Sequence, residues 1–346
     1  MDIAVGGFPA PAPWREREAY LPPSTTTWVV TDGKIGDEVH CFGVAQALGA
    51  AAERRLIAPR LPWAAVAPFG PIDPRERADE PGSPVAPPFP DILIASGRRT
   101  VPYLRHVKRA SGRRTFTVFL KDPRTGPRTA DAIWVPEHDP LRGANVVVTL
   151  TSPHSLTPDV IARARAEPDR RIAWVNRPRL GIVLGGPSGH HRFKRHDARR
   201  LGAIALECAR QGFGVMVTPS RRTPAAFLEA VRAPLADAGL LGNCAYVWDG
   251  AGENAYLPIL ANADRILVTG DSVNMLGEAT ATGAPVYVFV PSGMAYHKMV
   301  AFIDRLAERG AVRRYAGSLD PFTYEPIDAT PEIARLVAAR YLAFQG

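Results

Sequence analysis

The sequence predicts an α/β protein made of two doubly wound domains that face a central cleft. Its 346 residues match two domains, at ~100–200 residues per domain. Hydrophobic residues make up 46% of the chain and charged residues 22%, as in globular proteins and unlike disordered or fibrous chains. Short β-branched runs alternate with helix-like stretches and end at Gly or Pro, which is the pattern of parallel strands with crossover helices.

Residues 26–176 are expected to form the first domain, around six strands. These strands are predicted where residues that favour β-structure cluster, at 27–31, 55–58, 91–95, 115–120, 132–136 and 145–150. Residues 155–168 then predict a helix, because Thr157 can cap it and Pro158 suits the first helical position.

Residues 177–325 are expected to form the second domain, after a hinge at Asn176-Arg177-Pro178. Five further runs predict its strands, at 180–184, 214–218, 245–248, 265–269 and 285–290. A closing helix starts near Thr330 and carries apolar residues on one face. We expect this last segment, 326–346, to pack near the junction of the two domains.

Two proline-rich segments fall outside this alternation of strands and helices. Residues 1–25 predict a flexible tail. Residues 59–90 contain ten prolines, which excludes a continuous helix or a central strand and predicts a long loop. Leu61 to Val66 give this loop an apolar tip, and residues 98–114 hold seven basic side chains and no acidic one. Together they predict contact with an anionic membrane surface, although a mobile loop beside a solvated helix face is the plainer alternative.

Charge and the lack of targeting signals suggest where the protein acts. No apolar run approaches the ~18 residues of a membrane-spanning helix, and the first residues lack a secretory signal. We expect a cytoplasmic protein, at most peripheral on the inner face of the membrane. The net charge of +8 favours partners that carry phosphate or an anionic surface; there is no basic tail, and no nucleic-acid partner is expected. Three widely spaced cysteines predict neither disulfides nor a thiolate metal site.

The turn after the first strand is the first candidate site. It contains Asp32, Gly33, Lys34 and Gly36, and it leads into a helix whose start offers free N–H groups. It matches neither the GxGxxG pattern nor the P-loop, which argues against nicotinamide cofactors and P-loop NTPase chemistry. The alternative is that Asp32 only forms the turn and Lys34 is solvated.

The turn that opens the second domain is the second candidate site. Gly185, Gly186 and Ser188 precede a basic stretch, so backbone N–H groups, a hydroxyl and cations can form a phosphate cradle. His190 and His191 are adjacent and have no acidic partner at ligand spacing, so no metal site is predicted.

Three more strand ends of the second domain should open onto the same edge of its sheet, where ligands bind in open α/β sheets. The polar and aromatic residues at these ends are Ser220, Arg221, Trp248, Asp249, Thr269, Asp271 and Ser272. Glu278 follows about two turns into the next helix. Its small and apolar neighbours argue against an ordinary surface glutamate, while Trp248 fits a core position equally well.

The order of these turns resembles GT-B glycosyltransferases, which have two Rossmann-like domains around a cleft. Eight short motifs within residues 28–310 more specifically resemble the mitochondrial fission (elongated-mitochondria) family, whose plant members act in mitochondrial division. They are Thr31-Asp32-Gly33-Lys34-x-Gly36, Ala95-Ser96-Gly97-Arg98-Arg99, Asp122-Pro123-Arg124, Pro136-Glu137-His138-Asp139, Gly185-Gly186-Pro187-Ser188, Thr218-Pro219-Ser220-Arg221-Arg222-Thr223-Pro224, Trp248-Asp249-Gly250 and Thr269-x-Asp271-Ser272.

The GT-B resemblance implies a transferase that uses a nucleoside-diphosphate sugar, with the acceptor in the first domain and the donor in the second. Glu278 would bind the donor ribose. Gly185, Gly186 and Ser188, with Arg221, would neutralise the diphosphate. Asp32 would activate the acceptor hydroxyl, with Lys34 beside it.

The resemblance also implies that Ser96 and Arg98 line the substrate site, and that the donor is a substrate in a reaction that needs no cofactor or metal. A cell-envelope acceptor fits the expected membrane surface. Two alternatives stay open at this point. One is a non-catalytic scaffold that recruits partners, as the plant members imply, and the other is nucleotide-sugar epimerisation on the same fold.

Overall fold

Two parallel six-stranded sheets with helices on both faces make up the fold. A computed structural model describes residues 20–188, 193–292, 294 and 297–346. The predicted α/β class is therefore confirmed. The described ranges leave out residues 1–19, which are most of the predicted flexible tail, and they also leave out His190 and His191.

The first sheet takes all its strands from the first half of the chain. They are β1 (Thr27–Thr31), β2 (Ala52–Leu56), β3 (Ile92–Ser96), β4 (Phe116–Leu120), β5 (Ala132–Pro136) and β6 (Val146–Thr149). Their order in the sheet is β2-β1-β3-β4-β5-β6. The strand order reverses between β1 and β3, so the turns after these two strands flank a crevice at the carboxyl edge of the sheet.

The second sheet also has six parallel strands and one reversal of strand order. Its strands are β7 (Arg179–Leu184), β8 (Gly214–Pro219), β9 (Ala245–Val247), β10 (Arg265–Thr269), β11 (Val286–Phe289) and β12 (Val312–Arg314). Their order is β12-β11-β10-β7-β8-β9. Here the reversal lies between β7 and β10, which brings the turn at Gly185 next to the turn at Asp271.

Two sequence predictions about strands are wrong. The strand predicted at 55–58 begins earlier, as β2, and β12 is missing from the prediction. Both are edge strands with few buried residues. Strong hydrophobic runs mark buried strands, so polar edge strands give little sequence signal.

The helices pack on both faces of each sheet, and the residues of the central strands alternate between those faces. In β3, Ile92 and Ile94 join the core under the first helix, while Leu93 joins the core under the third. The helices are α1 (Ile35–Ala47), α2 (Trp63–Val66), α3 (Val101–Ala110), α4 (Pro158–Ala166), α5 (Arg170–Ala173), α6 (Arg195–Arg210), α7 (Ala225–Asp237), α8 (Tyr256–Asn262), α9 (Val273–Thr280), α10 (His297–Glu308) and α11 (Thr330–Gln345). Within the described residues, no helix is long and apolar enough to cross a membrane.

The closing helix α11 returns to the first sheet. Its side chains Ile333, Val337 and Tyr341 are buried in the core that contains Val29 and Phe116. The segment before it packs Ile327 against the second half of the molecule. The chain therefore crosses twice between the two halves.

Candidate functional site

The two halves meet where α1 faces α9. His40 lies on α1 and is buried, and its Nε2 is 3.1 Å from Asn274 Oδ1 on α9. Burial lowers the pKa of His40 to about 3, so the ring is neutral and Nε2 donates its proton to the amide oxygen. A second contact, 2.7 Å between Lys298 Nζ and Asp139 Oδ1, also joins the halves. The turns after β1 and β10 thus open onto one cleft.

Asp32 lies at the end of β1, within an open depression of about 450 Å³. Its Oδ2 accepts from Lys34 Nζ at 2.6 Å and is 3.8 Å from Arg99 Nη1. The side chain is only 2% exposed, yet Oδ1 has no hydrogen-bond partner among the described residues. Asp32 is therefore a buried carboxylate, and one of its two oxygens has no hydrogen-bond partner among the described residues.

A polar cluster that sequence reasoning missed lies beside this depression. Asp37 Oδ1 accepts from Lys121 Nζ at 2.6 Å and from Ser96 Oγ at 3.1 Å. Burial raises the pKa of Asp37, but the charge and hydrogen bond of Lys121 outweigh that effect, and the pKa lies below its usual value. Gly97 has a φ of +90°, and a Cβ there would lie 2.9 Å from Asp37 Oδ2. The glycine lets the turn after β3 close on this carboxylate.

Lys121 is also unusual in its backbone, with a φ of 92°. A long side chain rarely adopts this left-handed conformation, and such strain is concentrated at functional sites. The only sequence signal for Lys121 is its position, directly before the motif Asp122-Pro123-Arg124.

Two predicted substrate residues in the first half make internal contacts. Ser96 Oγ donates to Leu120 O as well as to Asp37. Arg98 Nη1 donates to Ala67 O at 2.8 Å and to Ala65 O at 3.3 Å, and so holds the proline-rich loop. Gly33 lines the depression, and Lys34 pairs with Asp32. Gly36 lies in the first turn of α1, opposite Asn274.

In the second half, Asp271 fixes the glycine turn after β7. Its Oδ2 accepts from Gly186 N–H at 3.1 Å and its Oδ1 from Thr269 Oγ1 at 2.7 Å. Thr269 Oγ1 lies 2.7 Å from Gly185 N–H, which donates to it. Burial raises the pKa of Asp271, against its hydrogen bonds and the nearby Arg222 charge. The N–H groups of Gly185 and Gly186, predicted to bind phosphate, are therefore used inside the protein.

Arg222 completes this arrangement; the sequence placed it at a strand end beside the predicted site but assigned it no role. It donates to Asp271 Oδ2 at 2.9 Å and to Gly186 O at 2.8 Å. A Cβ at Gly185 would lie 2.0 Å from Asp271 Oδ1, and one at Gly186 would lie 1.9 Å from Arg222 O. Only glycine fits at either position. The predicted cradle is thus a rigid turn that fixes the residues around it.

Groups that can reach a ligand remain around this turn. Arg221 is exposed, and no hydrogen bond or ion pair joins it to a described residue. Ser220 bonds Thr223 in the adjacent turn, and Ser188 is exposed. Ser272 caps α9 by accepting from Met275 N–H at 3.4 Å. The first turn of such a helix favours an anion.

Glu278 lies on α9, half-buried and hydrogen-bonded. Tyr256 O–H donates to Glu278 Oε2 at 2.5 Å. Burial raises the pKa of Glu278 to about 7, although the bond from Tyr256 opposes the shift. This is not the environment of an ordinary surface glutamate. The sequence pattern identified Glu278 but gave no sign of Tyr256.

Trp248 and Asp249 border a second open depression, of about 620 Å³. Trp248 Nε1 donates to Ala251 O at 2.7 Å, and Asp249 Oδ1 accepts from Ala251 N–H at 2.9 Å. Trp248 is half-buried against the core and also lines this depression; a role in binding stays a prediction. Among the described residues, no group of three or more His, Cys, Asp or Glu side chains is placed to hold a metal ion.

Comparison with known proteins identifies the family. The model of the family described as mitochondrial fission ELM1 matches residues 35–341. The chain is 28% identical over 283 residues to the mitochondrial fission protein ELM1 of Arabidopsis thaliana, covering 74% of this chain and 65% of that protein. It is 25% identical over 160 residues to the uncharacterized protein RP120 of Rickettsia prowazekii, covering 45% of each. The matches thus span less than two thirds of either relative.

Among solved structures, MurG of Acinetobacter baumannii aligns over 92% of this chain and 94% of its own, with a TM-score of 0.47 and 13% identity. The family assignment does not depend on this likeness. The family model covers most of the chain, and the chain belongs to the mitochondrial fission ELM1 family.

Proposed function

We propose that the protein is a metal-independent glycosyltransferase that uses a nucleoside-diphosphate sugar. One observation carries this proposal. Asp32, a buried carboxylate with an unpartnered oxygen, lies in the turn between β1 and α1, and α1 is joined to the start of α9 by the bond between His40 and Asn274. A base on one side and an anion-binding helix start on the other are what sugar transfer from a diphosphate requires.

The donor would bind in the second half. Arg221 and the start of α9 at Ser272 would compensate the charge of the diphosphate, next to the exposed Ser188. Glu278, oriented by Tyr256, would accept hydrogen bonds from the ribose hydroxyls. The depression at Trp248 and Asp249 would receive the nucleoside base.

In this proposal Asp32 acts as the general base. The Asp32 carboxylate takes the proton of the acceptor hydroxyl. The acceptor oxygen then forms a bond to the anomeric carbon of the sugar. The bond from that carbon to the diphosphate breaks, and the nucleoside diphosphate leaves with the electron pair. Cations and helix N–H groups stabilise the leaving charge in place of a metal.

The walls of the Asp32 depression suggest the acceptor class. Leu56, Ile57 and Pro59 give it an apolar side, and Arg54 and Arg99 bring cations. Such a site fits an acceptor with an apolar part and an anionic part, such as a lipid-linked component of the cell envelope.

An assay of donor turnover tests the proposal. Purified protein is incubated with UDP, GDP and dTDP sugars and a membrane lipid extract that supplies the acceptor, and released nucleoside diphosphate is measured by chromatography, with and without EDTA. We expect release from one donor, unchanged by EDTA. Activity that EDTA abolishes and magnesium restores would contradict the metal-independent mechanism. Failure of every donor to bind would leave the scaffold hypothesis as the better account.

A further inference from the structure

The proline-rich loop presents large apolar side chains to solvent. Leu61 is 77% exposed, Phe69 73% and Val66 45%. All three lie within residues 61–69. This segment includes the apolar tip predicted at Leu61 to Val66, and below the name covers all of residues 61–69. A soluble protein seldom exposes several large apolar side chains so close together unless they bind something. Trp63, within the same segment, is half-buried, and its ring packs against the Arg60 guanidinium at 5.1 Å.

The apolar tip is held in one conformation by basic side chains. Arg98 donates to Ala65 O and Ala67 O, and Arg105 donates to Pro68 O. Ala64 is buried beneath them. Leu61 and Phe69 are therefore exposed on a loop that is already ordered, so binding costs little conformational entropy.

These contacts leave positive charge beside the apolar tip. Arg98 and Arg105 bond to carbonyl oxygens, which carry no net charge, and Arg109 follows one turn later on α3. None of the three forms an ion pair with a carboxylate among the described residues, whereas Lys108 on the same helix pairs with Asp131 at 2.6 Å. Exposed apolar side chains flanked by unneutralised arginines match an anionic bilayer surface.

We propose that residues 61–69, with Arg98, Arg105 and Arg109, form a surface that docks on an anionic lipid bilayer. Leu61 and Phe69 insert among the acyl chains, and the arginines lie at the level of the headgroups. Pro59, at the base of the apolar tip, lines the Asp32 depression, so docking would bring that depression to the membrane. The inference does not depend on the proposed glycosyl transfer.

Flotation with liposomes tests this surface. Full-length protein is mixed at low salt with vesicles of phosphatidylcholine alone or with phosphatidylglycerol. We expect wild-type protein to float only with the anionic vesicles. The variant Leu61→Ser/Phe69→Ser should lose binding by about tenfold or more for each side chain, the effect of leaving such a side chain in water. Arg109→Gln should lose about fivefold, as one basic residue near an anionic surface contributes.

The control is Leu342→Ser, because Leu342 is 50% exposed on α11 and is not part of the proposed surface. It should float like the wild type, and all variants should show wild-type thermal unfolding because the changed side chains are exposed. Wild-type protein that stays at the bottom with anionic vesicles would overturn the proposal, as would equal loss in the control. Sedimentation showing a dimer that Leu61→Ser/Phe69→Ser dissociates, without flotation, would assign the surface to a second copy instead.

Discussion

At the scale of single residues, Asp32 has the contacts expected of a base. One oxygen is held by Lys34 and the other is unpartnered among the described residues. We predict that Asp32→Asn lowers turnover by ~100-fold or more, because an amide cannot take the acceptor proton. Donor affinity, measured by calorimetry, should hardly change. The exposed Asp79→Asn serves as a control and should keep full activity; equal turnover in both variants would rule out the assignment.

Glu278 should make stability depend on pH. Its pKa rises from an ordinary 4.5 to about 7 in the folded protein, so the folded state binds this proton more tightly than the unfolded state. The stabilisation is fully present below about pH 4.5 and is lost as pH rises through about 7. Denaturant unfolding of the wild type and Glu278→Gln should show this as a difference that changes across that window. A difference that is constant with pH would mean that Glu278 does not titrate there.

The sequence predicted Asp32, its partner Lys34, and Glu278, but not Tyr256, which donates to Glu278. Asp32 follows a strand end and Glu278 lies on the helix after one, and strand ends of parallel sheets open onto ligand sites. The contacts Asp37–Lys121 and His40–Asn274 join residues far apart in the chain. One sequence offers no signal for such pairs, because they depend on how the two sheets are brought together.

Among the secondary-structure elements and turns, the turn after β7 differs most from its predicted role. The sequence predicted a phosphate cradle, whereas Asp271, Thr269 and Arg222 bind this turn internally. Glycine next to a polar strand end fits both arrangements, and only the packing distinguishes them. Edge strands explain the other errors: β12 is three residues long with two exposed arginines, so it lacks a hydrophobic run.

The close packing of the turn after β7 predicts that one added methyl group there destabilises the protein. Gly186→Ala would place a Cβ 1.9 Å from Arg222 O, a backbone atom, and must push two turns apart. We expect a loss of ~1–3 kcal/mol in the free energy of unfolding, as for other overpacked sites, together with weaker nucleotide binding. Gly277→Ala is the control, because its Cβ would make ordinary contacts from 3.5 Å. Wild-type stability of Gly186→Ala would show that the turn is looser than the structure indicates.

At the scale of the whole molecule, the cleft joins sites from both halves of the chain. The bond between α1 and α9 and the return of α11 to the first sheet tie the halves together. The family of the chain includes a plant mitochondrial fission protein, but fold and family do not fix an activity. Polar groups near the strand ends of the second half, Arg221 and Ser272 among them, are those that we propose bind a nucleoside diphosphate.

The decisive measurement is a calorimetric titration of UDP, GDP and dTDP into wild-type protein and Glu278→Gln at about pH 8.5, above the pKa of Glu278, where the carboxylate is ionised. One nucleotide should bind the wild type, more weakly as salt rises, because cations surround its phosphates. Glu278→Gln should bind it ~10- to 150-fold more weakly, the loss of a hydrogen bond to a charged group of ~1.5–3 kcal/mol. Absence of binding to the wild type, or equal affinity in the variant, would contradict the account.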